Sequence, residues 1–250
     1  MSGHSKWASI KHKKAATDAK KGKEFTKAAA MITIAAKQGG GDPKTNFTLR
    51  LAIDKAKSVN MPSTNIERSI KKGTGELGGT APEELLYEGY AQAGVAILIE
   101  ALTDNRNRTG PEVRAAFSKG GGSMAETGAV AFQFDRKGQI YLHASEQKML
   151  GDEIELTIID SGAEDFDLHE GVYTVTTRAT DLQTVKEALE AAGLKVDEAE
   201  LVYIAKNEVQ VTDEVIAGKI LKLIDHLEDL EDVTAVHANF DISEEILEKL

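Results

Sequence analysis

Apolar residues recur at three- and four-residue steps through GKEFTKAAAMITIAAKQGGGD. Phe25, Ala28, Ala29, Ile32 and Ala36 share a face, and Gly39-Gly40-Gly41 ends the run. That pattern predicts an amphipathic helix with a glycine stop. A second helix is expected over TNFTLRLAIDKAKSVN, with Phe47, Leu51, Ile53 and Ala56 on or near one face. It should stop before Met61-Pro62, because a residue preceding proline is pushed out of helical geometry. In STNIERSIKKG, Thr64 and Glu67 read as a capping box, Lys71 and Lys72 fall in the last turn, and Gly73 reads as the C-cap. Together these segments predict a small helical bundle preceded by a loose arm.

The period changes after GTGELGGTAPEE, a glycine-rich linker. VAILIEALT reads as a buried strand, TGPEVRAAFSKGG as a helix with Thr109 as N-cap and Pro111 near its start, and GAVAFQF as another strand. After Lys137-Gly138 the order is strand (QIYLHA), helix (EQKMLGDEIELTIIDSG), two strands (AEDFDLH, VYTVTTR), helix (DLQTVKEALEAAG) and strand (AELVYIAK). This βαββαβ order is the split-βαβ plan, a sheet with helices on one face. The tail adds EVQV, the helix DEVIAGKILKLIDHLEDL and the strand VTAVHANFDI. These lack partners in their own segment, so they are expected to pair with the region Val95 to Phe134.

The expected fold class is therefore α+β: an N-terminal helical bundle plus two α/β-sandwich (ferredoxin-like) domains, the last inserted in the middle one. The boundaries read as 1–75 for a basic helical domain with a flexible arm, 76–134 with 208–250 for the middle domain, and 135–207 for the insert. A length of 250 residues accommodates that number of units.

Charge sharpens the division. The chain carries a formal net charge of −11, yet its first 75 residues hold fourteen Lys and two Arg against five acids, a net of +11. The remaining 175 residues carry −22. A basic segment on an acidic body suggests a polyanionic partner for the first part. The absence of cysteine removes disulfides and thiolate chemistry and fits a reducing, cytoplasmic setting. AAAMITIAA is too short to cross a bilayer, so no membrane partner is implied.

The candidate contacts with nucleic acid follow from this asymmetry. Lys6, Lys11, Lys13, Lys14, Lys20, Lys21 and Lys23 supply a polycation that can track phosphates, with His12 among them. Trp7 either stacks on a base or tucks into the bundle. Lys71 and Lys72 extend the basic set. Arg106 and Arg108, in the loop LTDNRNRTGPE, lie where a strand opens into a helix and anions are favoured, although Asp104, Asn105 and Thr109 also suffice to build a turn and cap there. Gln38 to Gly41 and KGGGS fit no phosphate-cradle motif, and both follow helices.

Catalysis finds no support: HExxH, GxSxG and a cysteine nucleophile are absent, and the six histidines lack metal-ligand spacing. Neither a metal, a cofactor nor a small-molecule substrate is implied. No helix-turn-helix with a clear recognition helix is visible, which speaks against reading a specific operator.

GHSKWASIKHKK, MPSTNIERSIKKG, YEGY, TDNRNRT and VTAVHANFD, in that order along the chain, resemble the YebC/PmpR family, which includes the mitochondrial translational activator of cytochrome c oxidase subunit I. The resemblance covers essentially the whole chain. It implies a helical N-terminal domain and two α+β domains, the last inserted in the second. It also implies regulation of gene expression, either as a transcriptional regulator binding DNA or, alternatively, in translation on mRNA or at the ribosome, including relief of stalls at proline-rich stretches.

Overall fold

The computed structural model describes residues 18–78, 81–247 and 249, with backbone only at 18–21 and 244. Three helices come first: α1 (Asp18–Gly39), α2 (Phe47–Ser58) and α3 (Ser63–Gly73). Ile32, Leu49, Ala52, Ala56, Met61 and Ile66 form their common core. Asn46 joins two of them, since its side-chain oxygen caps Leu49 N–H at 3.0 Å while its amide donates to the carbonyls of Ala35 and Gly40, each at 2.8 Å. A buried amide with all these partners fixes the α1–α2 turn. At the far end α3 lies close on α1, and a Cβ on Gly73 would stand 2.3 Å from the Thr33 carbonyl oxygen and 2.7 Å from Ala36 Cβ. Gly73 is thus the last residue of α3, required by close approach, and Thr74 follows as its cap.

A four-stranded sheet of order β3-β1-β2-β9 comes next, built from β1 (Glu83–Tyr90), β2 (Ala96–Thr103), β3 (Ser123–Met124) and, from the tail, β9 (Val233–Ala238). Helix α4 (Arg106–Lys119) and a tail helix cover one face, burying Ile97, Ile99, Phe117, Ile224 and Phe240 together. Ala96 and Leu98 point to the other face and meet Val130 and Phe134. With both faces covered, the continuous apolar run of β2 is explained.

Between β3 and the tail lies a second four-stranded sheet, β4 (Phe134–His143), β5 (Asp165–His169), β6 (Val172–Arg178) and β7 (Glu198–Ala205), in the order β5-β6-β4-β7 and antiparallel throughout. Helices α5 (Gly151–Asp160) and α6 (Leu182–Ala191) pack on it around Ile140, Leu142, Ile158 and Leu189. Within this block the strand order is that of a ferredoxin-like fold, as its βαββαβ pattern predicts. The chain returns through β8 (Val209–Val211), α7 (Glu214–Glu228), β9, β10 (Phe240–Ile242) and the short α8 (Glu244–Leu247). The class is α+β, and no helix among the described residues is long and apolar enough to cross a membrane.

Several local expectations are corrected. GAVAFQF is not a strand up to Phe134: the buried Glu88 carboxylate accepts from the backbone N–H groups of Gly128 (2.6 Å), Val130 and Ala131 (2.8 Å), and Ala131–Gln133 turns as a 3-10 helix. The Glu88 carboxyl lies below the usual range because these three bonds outweigh the upward effect of its burial. VTAVHANFDI breaks at Asn239, whose side chain accepts from Ala96 N–H at 2.7 Å. β8 therefore pairs in parallel with β10, and only β9 joins β2. Thr64 lies inside α3 rather than capping it, because Pro62 holds the N-cap position and starts the helix at Ser63. Thr109 likewise lies within α4, whose N-cap is Asn105, accepting from Asn107 N–H.

Replacing Gly73 by alanine should destabilise the helical head by about 1–3 kcal/mol, measured by chemical denaturation, because α3 must move off the Thr33 carbonyl. Unchanged stability would show that the α1–α3 approach is looser than described.

Candidate nucleic-acid interface

The cations of the head divide by partner. Lys23 and Lys27 reach the end of α7, where Lys23 Nζ donates to the Asp229 carbonyl at 2.9 Å and Lys27 Nζ to the Glu228 carbonyl at 2.6 Å. Ammonium groups at a helix C-terminus meet unpaired carbonyls and the negative end of the helix dipole. Arg50 on α2 bonds the carbonyls of Pro43 and Lys44 and reaches Glu187 on α6 at 3.4 Å. Lys55, half-buried, pairs with Glu198 on β7. Burial alone would favour its neutral form, but Glu198 and Glu200 reverse this and hold its pKa above the ordinary lysine value. Glu200 is pushed up by its burial and by Glu198, against the pull of Lys55 and His237.

On α3 the picture differs. Arg68, Lys71 and Lys72 are exposed and have no hydrogen-bond or ion-pair partner among the described residues. Arg68 and Lys72 are four residues apart, hence on one helix face, and both line a cleft of about 700 Å³ between the head and the first sheet. Lys71 sits one position off that face. Phe25, Met61 and Leu102 give the cleft apolar lining, and its far wall carries Asp104, Glu231 and Asp232.

Asp232 organises that wall. Arg108 grips it through Nη2 at 2.7 and 2.9 Å and Nε at 3.3 Å, and the hydroxyls of Thr109 (2.6 Å) and Thr103 (3.0 Å) donate to Oδ2. Burial acts to raise its pKa, but these donors outweigh burial and keep it below the usual aspartate range. Arg106 converges on one oxygen of Glu83, with Nε at 2.7 Å and Nη2 at 2.6 Å from Oε2. The arginines of the TDNRNRT loop are thus committed to carboxylates, although Arg108 still faces the cleft with 43% of its side chain exposed.

Of the residues the sequence singles out, Lys6, Trp7, Lys11, His12, Lys13 and Lys14 lie outside the described residues, as does the expected arm up to residue 17; from Asp18 onward that arm is not loose but the start of α1. Lys20 and Lys21 are placed on α1 by backbone alone. Lys23 is engaged with α7, Lys71 and Lys72 are together on α3, Arg108 sits across the cleft, and Arg106 is paired with Glu83 and does not line it. Sequence reasoning passed over Arg68, for which the four-residue step to Lys72 was the available signal. It also passed over Lys27, Lys55 and Asp232, whose roles depend on partners far away in the chain.

One further convergence is unlike the rest. His143, Glu146 and Asp197 bring ligand-type atoms within 4.8 Å of one another. Yet His143 Nδ1 is 2.8 Å from Asp197, and Lys195 supplies an ammonium to Glu146 and, at 3.6 Å, to Asp197. The charge a metal would bring is already present.

A three-helix head is set on two antiparallel sheets with helices packed on them, giving an α+β protein with cations on one wall of the cleft and acids on the other. Its family can be named: residues 5–76 match the TACO1/YebC protein N-terminal domain and residues 82–240 match the TACO1/YebC second and third domain, so the chain belongs to that family. It is 48% identical to a probable transcriptional regulatory protein of Halothermothrix orenii, covering 100% of this chain and 99% of that one. A protein with the same description from a Sulfurihydrogenibium species is 52% identical over 100% and 99% of the two chains. The crystal structure of a conserved hypothetical protein from Aquifex aeolicus superposes with a TM-score of 0.86 at 46% identity, covering 92% of this chain and 94% of that one.

Replacing Asp232 by asparagine should lower stability at neutral pH by about 1–3 kcal/mol, as expected for hydrogen bonds to a charged group. Because the folded carboxyl is depressed, its contribution is complete above the unfolded value of about 3.9 and is lost as pH falls through the lower folded value. Denaturation curves of the wild type and Asp232→Asn should therefore converge in acid. A difference independent of pH would assign the loss to packing instead.

Proposed function

We propose that this protein is a non-enzymatic, nucleic-acid-binding regulator of gene expression, a transcriptional regulator that binds DNA through its basic helical head. The observation that carries this reading is the set Arg68, Lys71 and Lys72. These three stand exposed on one short helix with no side-chain partner among the described residues, and two of them line the cleft; Lys37, Lys44 and Lys57 are equally exposed but do not line it, and Lys23, Lys27, Arg50 and Lys55 are used within the fold. The names of the relatives agree with it. Phosphates are the natural partners of such a set, and contacts of this kind give affinity without sequence choice. The lysines of residues 6–21 would add reach, and the acidic body would repel the polyanion and leave the head as the side that engages. RNA or the ribosome is the competing target, and the same cations would serve it.

The test is the salt dependence of binding to a DNA duplex and to an RNA hairpin, read by fluorescence anisotropy. Affinity should fall steeply between about 50 and 200 mM salt. Arg68→Ala with Lys71→Ala and Lys72→Ala should weaken binding across sequences and flatten the log–log slope by about one for each phosphate contact removed. An unchanged affinity and slope would remove α3 from the interface. Tighter binding to the hairpin than to the duplex would move the function from transcription to translation.

A further inference from the structure

The cleft between the head and the first sheet is not explained by phosphate tracking, which needs only an exposed cationic surface. We propose that it receives a single unstacked nucleotide of a single-stranded nucleic acid, with its phosphate on the head wall and its base inside. This rests on the nucleic-acid reading above and specifies what the site takes. The volume of about 700 Å³ lies within the roughly 300–1,000 Å³ of ligand-binding clefts. Its two walls differ in net charge: the far one holds Asp104, Glu231 and Asp232 against the single cation Arg108, which is bound to Asp232 and 3.6 Å from Asp104. Arg68 and Lys72, unpartnered among the described residues, border it on the head side, where a phosphate would meet them.

The opposite wall offers Asp104 and Glu231, both exposed, which are wrong for a phosphate and right for the exocyclic amino group of a base. Between them, half-buried Phe25, backed by the buried Met61, supplies an aromatic surface on which a base can lie. A paired base in a duplex keeps its neighbours stacked and cannot enter; an unpaired one can. The far wall is rigid where it matters, because Asp232 ties Arg108, Thr109 and Thr103 into one hydrogen-bonded group beneath it.

The experiment compares two short single-stranded oligonucleotides of equal phosphate charge, one fully abasic and one carrying a single central cytosine, each made as RNA and as DNA, with a duplex as reference. The cytosine should tighten binding at least about fivefold, the lower range for a base on an aromatic surface. Ala30→Phe, which fills the cleft from α1 and removes no cation, should erase that gain and leave duplex binding unchanged. If the two single strands bind equally to the wild type while the duplex still binds, the cleft proposal is overturned and the phosphate reading stands. If nothing binds, both fall. The abasic comparison needs only the wild-type chain, so a misfolded Ala30→Phe variant does not rescue the proposal.

Discussion

What the head can present to a partner depends on how it is held against the acidic body, by charge and by Phe47 and Leu51 packed on the core of the second sheet. Lys23 and Lys27 close the C-terminal end of α7, and Lys55 is drawn into the space beside Glu198 and Glu200 where α2 meets β7. The Lys55 contact is half-buried, and a charge in such a place persists only when paired. Removing Glu198 would strand an ammonium between two packed units. Exposed contacts such as Arg50–Glu187 add little by comparison.

Docking in this manner decides which cations remain for a partner. The acidic body engages Lys23, Lys27 and Lys55, while Arg68, Lys71 and Lys72 on α3, like Lys37 on α1 and Lys57 on α2, are exposed with no side-chain partner among the described residues. The body also forms the second wall of the cleft, so the cleft belongs to neither unit alone. The buried Asp232 matters for the same reason: its partners come from β2 and α4, and it stands just before β9. A net charge of −11 thus hides an uneven distribution, in which acidic residues of the body form one wall of the cleft and cations of the head the other.

The sequence reveals much of this fold because its periodicities are clean. The helices of the head and the βαββαβ block follow from apolar spacing and glycine stops, since each element buries one face against its neighbours in the chain. What it conceals are decisions made by long-range partners. Nothing local in GAVAFQF shows that Glu88, some forty residues earlier, captures its N–H groups and turns a strand pattern into a 3-10 turn. Likewise nothing in TDNRNRT shows that Thr109 and Arg108 serve Asp232. The basic character of the head is legible from charge counts, but the distinction between Lys55, consumed by the fold, and Lys72, left exposed, is visible only once α2 and α3 are seen facing different surroundings.

The docking of the head is best tested by a distance measurement, and the absence of cysteine from the chain makes it clean. Spin labels on Glu67→Cys in α3 and Lys222→Cys in α7, both exposed positions, report the separation across the cleft by pulsed electron paramagnetic resonance. The account predicts one narrow distance distribution that broadens when Lys55 is replaced by methionine. A broad distribution in the otherwise unmodified chain would mean that the head moves freely, and would contradict both the sorting of its cations and the cleft built upon it.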